Sequence, residues 1–257
     1  MSTLATKDLT IRFGGHVAVN AVTCSFEPGT LTAIVGPNGA GKTTYFNLIS
    51  GQLRATSGSV TLGGQDLTGQ SVSARTHAGL GRAFQLTNLF PNLSVLENVR
   101  LAVQATQEGK HRRGLNLWSI WSDHRALTER AESILQTVAM YERRDTPVAS
   151  LPHGDQRKLE VALLMALEPQ VFMFDEPTAG MNAAEAPVIL NLIRKLKADK
   201  SKTILLVEHK MDVVRELADR IIVLTNGTLV ADGVPAEVIA SPVVQEAYLG
   251  VSKEAAA

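Results

Sequence analysis

The sequence predicts an α/β fold in which buried parallel strands alternate with helices. Two continuous apolar runs, 171–174 and 203–207, have the composition of strands that are covered on both faces of a sheet. A stretch of helical character, 183–198, lies between them. Because strand, helix and strand follow one another in this order, the segment favours a parallel sheet with a crossover helix.

Antiparallel strands are expected near both ends of the chain. Apolar residues alternate over 4–13 and 17–26, which predicts two strands joined by a turn at Gly14-Gly15. Further apolar runs lie on both sides of Asn226-Gly227, the dipeptide that best suits a two-residue hairpin. The sequence therefore predicts a β-rich N-terminal edge and a peripheral hairpin late in the chain.

The middle of the chain predicts helix. Apolar residues recur there at helical spacing while polar residues fill the other faces: Leu127, Ala131, Ile134, Leu135 and Val138. We expect this amphipathic helix to pack into a core.

Composition limits the classes of partner and location. A chain of 257 residues with 45% hydrophobic content suits one large domain or a domain with an insertion. Twenty-five basic and 25 acidic residues balance, so no nucleic-acid partner is expected. No apolar run approaches the roughly 18 to 20 residues of a membrane-spanning helix. The N-terminus lacks an export signal and Cys24 has no cysteine partner, which favours a reducing cytosol and a buried, unreactive thiol.

The most specific motif is a phosphate loop at residues 36–43. It reads Gly-Pro-Asn-Gly-Ala-Gly-Lys-Thr, a full match to G-x-x-x-x-G-K-S/T between an apolar run and a predicted helix. Lys42 is expected to reach the outer phosphates of a nucleoside triphosphate, and the Thr43 hydroxyl to ligate Mg²⁺. The alternative, a glycine turn before an unrelated helix, fits this context poorly. The expected nucleotide-binding residues are Gly36, Pro37, Asn38, Gly39, Ala40, Gly41, Lys42, Thr43 and Thr44.

Two carboxylates and one imidazole follow buried strands, at the sheet edge where ligands collect. Asp175 is expected to hold Mg²⁺ through water, and Glu176 to orient the attacking water or accept its proton. Taken alone, this acidic pair before Pro177 would equally suit a turn or a helix cap. His209 follows the run 203–207 and could donate a hydrogen bond to a γ-phosphate, although a single histidine is more often structural.

Read in order with Gln85 and the segment 151–156, these motifs resemble the ATP-binding subunits of ABC transporters over nearly the whole chain. Segments 84–99, 179–182 and 247–250 are most similar to the branched-chain amino-acid transport type. The resemblance implies a P-loop NTPase (RecA-like) core with an N-terminal antiparallel β subdomain and an inserted α-helical subdomain. It implies one ABC domain over 4–250 with the helical insertion at about 86–160, and a frayed tail over 251–257.

The resemblance also implies roles for single residues. Gln85 would reach Mg²⁺ or the attacking water, His209 would sense the γ-phosphate, and Phe13 would stack on adenine, with a core position as the alternative for this phenylalanine. Asn182 falls in the loop across the dimer interface, where many relatives have aspartate. The signature segment that would face the partner's nucleotide is Leu151, Pro152, His153, Gly154, Asp155 and Gln156.

This signature segment departs from the Leu-Ser-Gly-Gly-Gln form. Pro152 replaces the serine and cannot supply a hydroxyl, His153 replaces the first glycine and Asp155 replaces the glutamine. Gly154 and a helix that begins near Asp155 could still present backbone donors to phosphate. A capped helix start without a ligand is the alternative.

The function implied by the resemblance is that of an ATP-hydrolysing subunit of an importer of branched-chain or related amino acids. A second ATP-binding subunit would close on ATP, and two membrane-spanning permease subunits would dock on the insertion at the cytoplasmic face of the inner (plasma) membrane. An exported substrate-binding protein would take part indirectly. Urea, amides or other small polar cargo, and a soluble ABC-type ATPase, are the alternatives. A small-molecule kinase would not account for Gln85, the signature segment and His209 together.

Overall fold

The computed structural model describes residues 2–83, 89–110, 120–181 and 185–249. The strands are β1 Leu4–Phe13, β2 His16–Phe26, β3 Leu31–Val35, β4 Ser57–Leu62, β5 Gln65–Asp66, β6 Leu80–Arg82, β7 Val171–Asp175, β8 Thr203–Val207, β9 Arg220–Thr225 and β10 Thr228–Gly233. The helices are α1 Lys42–Ser50, α2 Val72–His77, α3 Val95–Lys110, α4 Ile120–Thr137, α5 His153–Ala166, α6 Ala186–Ala198, α7 Met211–Leu217, α8 Pro235–Ala240 and α9 Pro242–Leu249. Short 3₁₀ turns lie at Tyr141–Arg143 and Val148–Ser150.

The chain divides into two compact units. The first takes the described residues up to 80, residues 170–176 and those from 197 onward, and the second takes 81–169 and 177–196. The one-domain interpretation over 4–250, with an insertion at 86–160, stays a prediction.

The larger sheet has the strand order β10-β9-β3-β8-β7-β6. β3 pairs in parallel with both β8 and β9, and β7 pairs in parallel with β8. Every residue of β3, β7 and β8 is buried, as expected for apolar strands without a solvated face. The predicted α/β class is confirmed, and the parallel register brings the carboxyl ends of these three strands to one edge.

A smaller antiparallel sheet has the order β2-β1-β4-β5. Phe13 pairs with His16 across the predicted turn at Gly14-Gly15. The predicted hairpin at Asn226-Gly227 joins β9 to β10, with φ angles of 48° and 76° that suit a primed two-residue turn. Both turn predictions are confirmed.

The core of the first unit lies around α1. The side chains of Tyr45 and Phe46 are fully buried in a cluster with apolar residues of both sheets. The Tyr45 hydroxyl lies 2.8 Å from Oγ1 of Thr6 on β1, so this buried phenol has a hydrogen-bond partner. Because α1 begins at the phosphate loop, this packing anchors the loop to the body of the unit.

The second unit is helical in the part that the structure describes. Leu127, Ala131, Ile134 and Leu135 are buried along α4, which confirms the predicted amphipathic helix. At the start of α3, Ser94 and Glu97 exchange hydrogen bonds, with Oε2 of Glu97 accepting from the Ser94 amide at 2.9 Å. None of the described helices has both the length and the apolar character needed to cross a bilayer.

Candidate nucleotide-binding site

The phosphate loop runs from the end of β3 to the start of α1, as the motif requires. Two of its glycines are held where no side chain fits. A Cβ on Gly36 (φ 152°) would collide with the Leu224 carbonyl, and a Cβ on Gly41 (φ 92°) with the Ala18 carbonyl. The β9–β10 turn supports the loop, because the Gly227 amide donates to the Ala40 carbonyl at 3.0 Å.

The N-terminus of α1 is built to receive an anion. Its N-cap is Gly41, no side chain caps the first turn, and that turn contains no acidic residue. The first amides of a helix have no intrahelical acceptor and lie at the positive end of the helix dipole. A phosphate group is the ligand that satisfies both conditions.

Lys42 lies over this loop. Its Nζ donates to the Gly36 carbonyl at 2.7 Å and to the Pro37 carbonyl at 2.9 Å. Burial is the main influence on the pKa of Lys42 and lowers it from the usual 10.5, while the Glu176 and Asp175 carboxylates partly oppose that shift. The ammonium group is therefore held beside two acids at the edge of the sheet.

A cavity of about 300 Å³ brings the predicted phosphate loop together with two of the predicted catalytic residues. Its lining comprises His16, Ala18, Asn38, Gly39, Ala40, Gly41, Lys42, Thr43, Thr44, Glu176 and His209. Asp175 is the last residue of β7 and is 4% exposed. It directly precedes Glu176, which lines the cavity. Phe13 does not line the cavity; it is 50% exposed, so the core alternative for this residue is wrong.

Glu176 and His209 form the polar contact at the edge of this cavity. Oε1 of Glu176 and Nε2 of His209 are 2.6 Å apart. Glu176 has a φ of 47°, a left-handed conformation that is costly for a residue with a side chain, and its amide donates to the Val207 carbonyl at 2.9 Å. The chain therefore turns sharply after β7, and the Glu176 side chain meets the imidazole that follows β8.

The loop that carries His209 is fixed by a neighbouring acid. Glu208 is 4% exposed, and its Oε1 accepts hydrogen bonds from the amides of His209 at 2.9 Å and Lys210 at 3.2 Å. A carboxylate that accepts two backbone donors holds the loop in one conformation. The site thus contains a preformed pair of carboxylate and imidazole beside the phosphate loop.

The signature segment lies in the second unit. Helix α5 begins at His153, with Pro152 as a cap residue that makes no side-chain hydrogen bond, so the predicted start near Asp155 is two residues late. Proline suits this end of a helix because it has no amide hydrogen to satisfy. A Cβ on Gly154 would collide with the Glu185 carboxylate, which lies against this first turn.

The side chains of Asp155 and Gln156 in this segment have partners within the chain. The Asp155 carboxylate contacts Nζ of Lys158 at 2.9 Å and Nη1 of Arg143 at 3.2 Å. Nε2 of Gln156 donates to the Leu151 carbonyl at 3.0 Å. Asp155 and Gln156 therefore stabilise the start of α5.

Comparisons with known proteins give the family. A family model described as ABC transporter matches residues 19–179, more than half of the chain. The chain belongs to the ABC transporter family. A second model, described as branched-chain amino acid ATP-binding cassette transporter, matches residues 228–254.

Relatives and solved structures agree with this membership. The high-affinity branched-chain amino acid transport ATP-binding protein LivG of Escherichia coli (strain K12) is 38% identical over 252 residues, which cover 96% of this chain and 97% of LivG. The high-affinity branched-chain amino acid transport ATP-binding protein BraF of Pseudomonas aeruginosa is 36% identical over 248 residues, which cover 96% of this chain and 97% of BraF. The ADP conformation of MJ1267, an ATP-binding cassette of an ABC transporter, superposes with a TM-score of 0.80 at 30% identity, covering 98% of this chain and all of that one. The dimeric MJ0796 cassette, bound to ADP and Pi, superposes with a TM-score of 0.76 at 25% identity, covering 90% of this chain and 98% of that one.

This ABC chain is therefore an ATPase subunit with the P-loop NTPase fold. Three sequence predictions fall outside the described residues: Gln85, Asn182 and the tail 251–257. Sequence reasoning missed His16 and Ala18 at the cavity and Glu208 behind His209. No local signal pointed to His16 and Ala18, because β2 meets the phosphate loop only in the folded chain, where the Ala18 carbonyl lies against Gly41. Glu208 directly precedes His209, but its burial is visible only in the structure.

Proposed function

We propose that this chain is the ATP-hydrolysing subunit of an importer of branched-chain or related amino acids. The observation that carries the proposal is the 2.6 Å contact between Glu176 and His209 at the cavity that the phosphate loop lines. The similarity to LivG and BraF over almost the whole chain supports the cargo class, as does the C-terminal match at 228–254.

The hydrolytic step follows from the positions of these groups. Water attacks the γ-phosphorus of ATP, the bond from that phosphorus to the β–γ bridging oxygen breaks, and ADP leaves with the bond's electron pair. The Glu176 carboxylate accepts the proton of the water, and the His209 imidazole holds that carboxylate in place and contacts the γ-phosphate. Lys42 and the α1 amides neutralise the phosphate charge.

Magnesium suits the oxygen donors present. The Thr43 hydroxyl is in the cavity lining and the Asp175 carboxylate is at the end of β7, and Mg²⁺ prefers oxygen ligands together with substrate phosphates. The ion would offset the charge that develops on the phosphate oxygens. Gln85 remains a proposed further ligand and Phe13 a proposed adenine contact.

The working unit is proposed to be a pair of ATP-binding subunits. Each phosphate loop would be covered by the partner's signature segment, Leu151 to Gln156, and by the loop at Asn182. With Pro152 in the serine position, the contact would depend on backbone amides at the start of α5. Two permease subunits at the cytoplasmic face of the membrane would receive the motion of this pair, and an exported binding protein would deliver cargo to them.

Glu176→Gln tests the chemical role. The amide keeps the shape of the carboxylate but cannot accept the proton, so we expect ATP binding to persist while turnover falls by about 10² or more and ATP-dependent dimers accumulate. The measurements are ATP affinity, steady-state phosphate release and size-exclusion chromatography with ATP. Glu142→Gln, at an exposed position of the second unit, is the matched control. Normal turnover in Glu176→Gln would contradict the assignment.

Cargo is tested on the assembled transporter. Tagged chain is co-purified with its membrane subunits, and ATPase activity is measured with binding protein and leucine, urea or a short amide. We expect stimulation by branched-chain amino acids; stimulation by urea or the amide alone would reassign the cargo, and failure to recover any membrane subunit would favour a soluble ATPase.

A further inference from the structure

The sequence contains two Asn-Gly dipeptides, and the fold brings both of them to the phosphate loop. Asn38-Gly39 belongs to the loop itself, and Asn226-Gly227 is the turn between β9 and β10 that supports it. Asparagine loses its side-chain amide most readily before glycine, because the glycine nitrogen has no side chain beside it and can reach Cγ of the asparagine. The two dipeptides have different surroundings, so the structure predicts different rates for this reaction.

Asn38-Gly39 is the open dipeptide. Both residues are exposed, and a Cβ on Gly39 would meet no atom within 4 Å. Gly39 has a φ of 78°, and the Ala40 amide donates across this turn to the Pro37 carbonyl at 3.2 Å. Within the described residues, the Gly39 amide has no hydrogen-bond acceptor. Its nitrogen is therefore available to the Asn38 side chain when the turn opens.

Asn226-Gly227 is the held dipeptide. Gly227 is buried, its amide donates to the Ala40 carbonyl at 3.0 Å, and its carbonyl accepts from the Asn20 amide at 2.8 Å. A Cβ on Gly227 would lie 2.6 Å from the Ala18 carbonyl oxygen, so the turn is packed closely against β2. Although Asn226 is exposed, the attacking nitrogen must first lose its hydrogen bond. This dipeptide is an internal control for the first.

Asn38 and Gly39 also line the nucleotide cavity, so a bound nucleotide would cover them. Resting on the proposed nucleotide site, we infer that Asn38 is a site of spontaneous deamidation that bound nucleotide protects. A chain that stays without nucleotide thereby loses the geometry of its phosphate loop, whereas a chain with an occupied cavity keeps it.

Water is the only co-reactant of this step. The Gly39 amide gives its proton to the medium, and its nitrogen attacks Cγ of Asn38. As this bond forms, the bond from Cγ to the side-chain nitrogen breaks, and that nitrogen leaves with the electron pair and takes up a proton to become ammonia. The succinimide that remains is opened by water at either of its carbonyl carbons. The net change is uptake of water and release of ammonia, and the product at position 38 is aspartate or isoaspartate.

Both products disturb the phosphate loop. Aspartate places a negative charge in the cavity that receives phosphate, and like charges repel there. Isoaspartate carries the main chain through its Cβ, which adds one atom to a loop whose Gly36 and Gly41 fit closely against neighbouring carbonyls. We expect Asn38→Asp, which reproduces the first product, to weaken ADP affinity by about tenfold or more.

The experiment incubates the purified chain at mildly alkaline pH, with and without ADP and Mg²⁺, and follows each Asn-Gly peptide by mass spectrometry after proteolysis. Without nucleotide, we expect Asn38 to convert about tenfold or more faster than Asn226, since one net backbone hydrogen bond is enough for that ratio. ADP at about ten times its Kd leaves about one chain in ten free, so Asn38 should convert about tenfold more slowly. In denaturant the two peptides should convert at similar rates.

Lys42→Ala tests whether protection comes from the nucleotide cavity. At the ADP concentration that protects the wild type, most chains of this variant stay free, so Asn38 should convert almost as fast as it does without ADP. Lys195→Ala, at an exposed position, should be protected like the wild type.

The outcomes separate this inference from the proposed function. If the wild type binds ADP but Asn38 converts no faster than Asn226, the inference is overturned and the proposed function stands. The same holds if ADP binds without slowing the reaction, or if Lys42→Ala is protected as well as the wild type. If the wild type does not bind ADP at all, both proposals fall.

Discussion

Lys42 is the residue whose loss should weaken nucleotide binding most directly. The Gly36 and Pro37 carbonyls hold its ammonium group over the phosphate loop. The side chain therefore loses little conformational entropy when phosphate binds. We expect Lys42→Ala to weaken ATP affinity by about 10- to 100-fold, since it removes a charge-assisted contact. Isothermal titration with ATP measures this, and Lys195→Ala, at an exposed site, is the control. Equal affinities in the two variants would refute the role of Lys42.

Cys24 predicts a pH dependence of stability. Burial, the largest influence, raises the pKa of its thiol from 9.0 to about 11. The folded state therefore keeps the proton where the unfolded state releases it, so the stabilisation is complete below pH 9 and is lost as the pH rises from about 9 to 11. The loss over the whole interval is about 3 kcal/mol.

Chemical denaturation at pH 8 and pH 10.5 tests this dependence. Because lysines and tyrosines titrate in the same range, the relevant quantity is the difference between wild type and Cys24→Ala. We expect the unfolding free energy of wild type to fall more than that of Cys24→Ala over this interval. Parallel losses in the two proteins would show that the thiol does not contribute.

At the scale of elements, α1 has specialised groups at both ends. Its N-terminus is left open for phosphate, and two of its C-terminal carbonyls accept hydrogen bonds from one buried guanidinium. Nη1 of Arg75 donates to the Leu48 carbonyl at 2.8 Å and to the Ile49 carbonyl at 2.6 Å. Its Nη2 donates to the carbonyl of Thr68, outside α1, at 2.9 Å. A cation at this end also complements the helix dipole.

Arg75→Met should therefore destabilise the fold. The side chain is 2% exposed, and its removal takes one donor away from each of the carbonyls of Leu48, Ile49 and Thr68. We expect a loss of about 3 kcal/mol, seen as a melting temperature lower by several degrees. Arg54→Met, at an exposed site of the same unit, should melt like wild type. An unchanged melting temperature in Arg75→Met would mean that α1 does not depend on this guanidinium.

At the scale of the whole molecule, one chain contains a phosphate loop in the first unit and a signature segment in the second. If two chains must close on each ATP, specific activity depends on chain concentration. We expect turnover per chain to rise with concentration and then to level off, because dimers form by mass action. Phosphate release measured over a 100-fold dilution series tests this. A constant activity per chain down to the lowest concentration would exclude the shared site.

Local pattern was enough to predict much of this molecule. The parallel strands, both glycine-containing turns and the amphipathic helix follow from periodicity and turn chemistry, which depend on near neighbours in the chain. The phosphate loop and the pair Asp175-Glu176 were predictable for the same reason, because each motif is defined by the types and the order of neighbouring residues. The start of α5 was misplaced, because Pro152 begins a helix as readily as it ends a loop.

Contacts between distant segments were decided only by the tertiary structure. The sequence alone placed Glu176 and His209 at one sheet edge, and the parallel register of β7 and β8 brought them to 2.6 Å. Likewise, only folding placed His16 in the cavity and gave the two Asn-Gly dipeptides different surroundings. Burial and hydrogen-bond pairing of this kind depend on which segments close on one another, and no window of neighbouring residues contains that information.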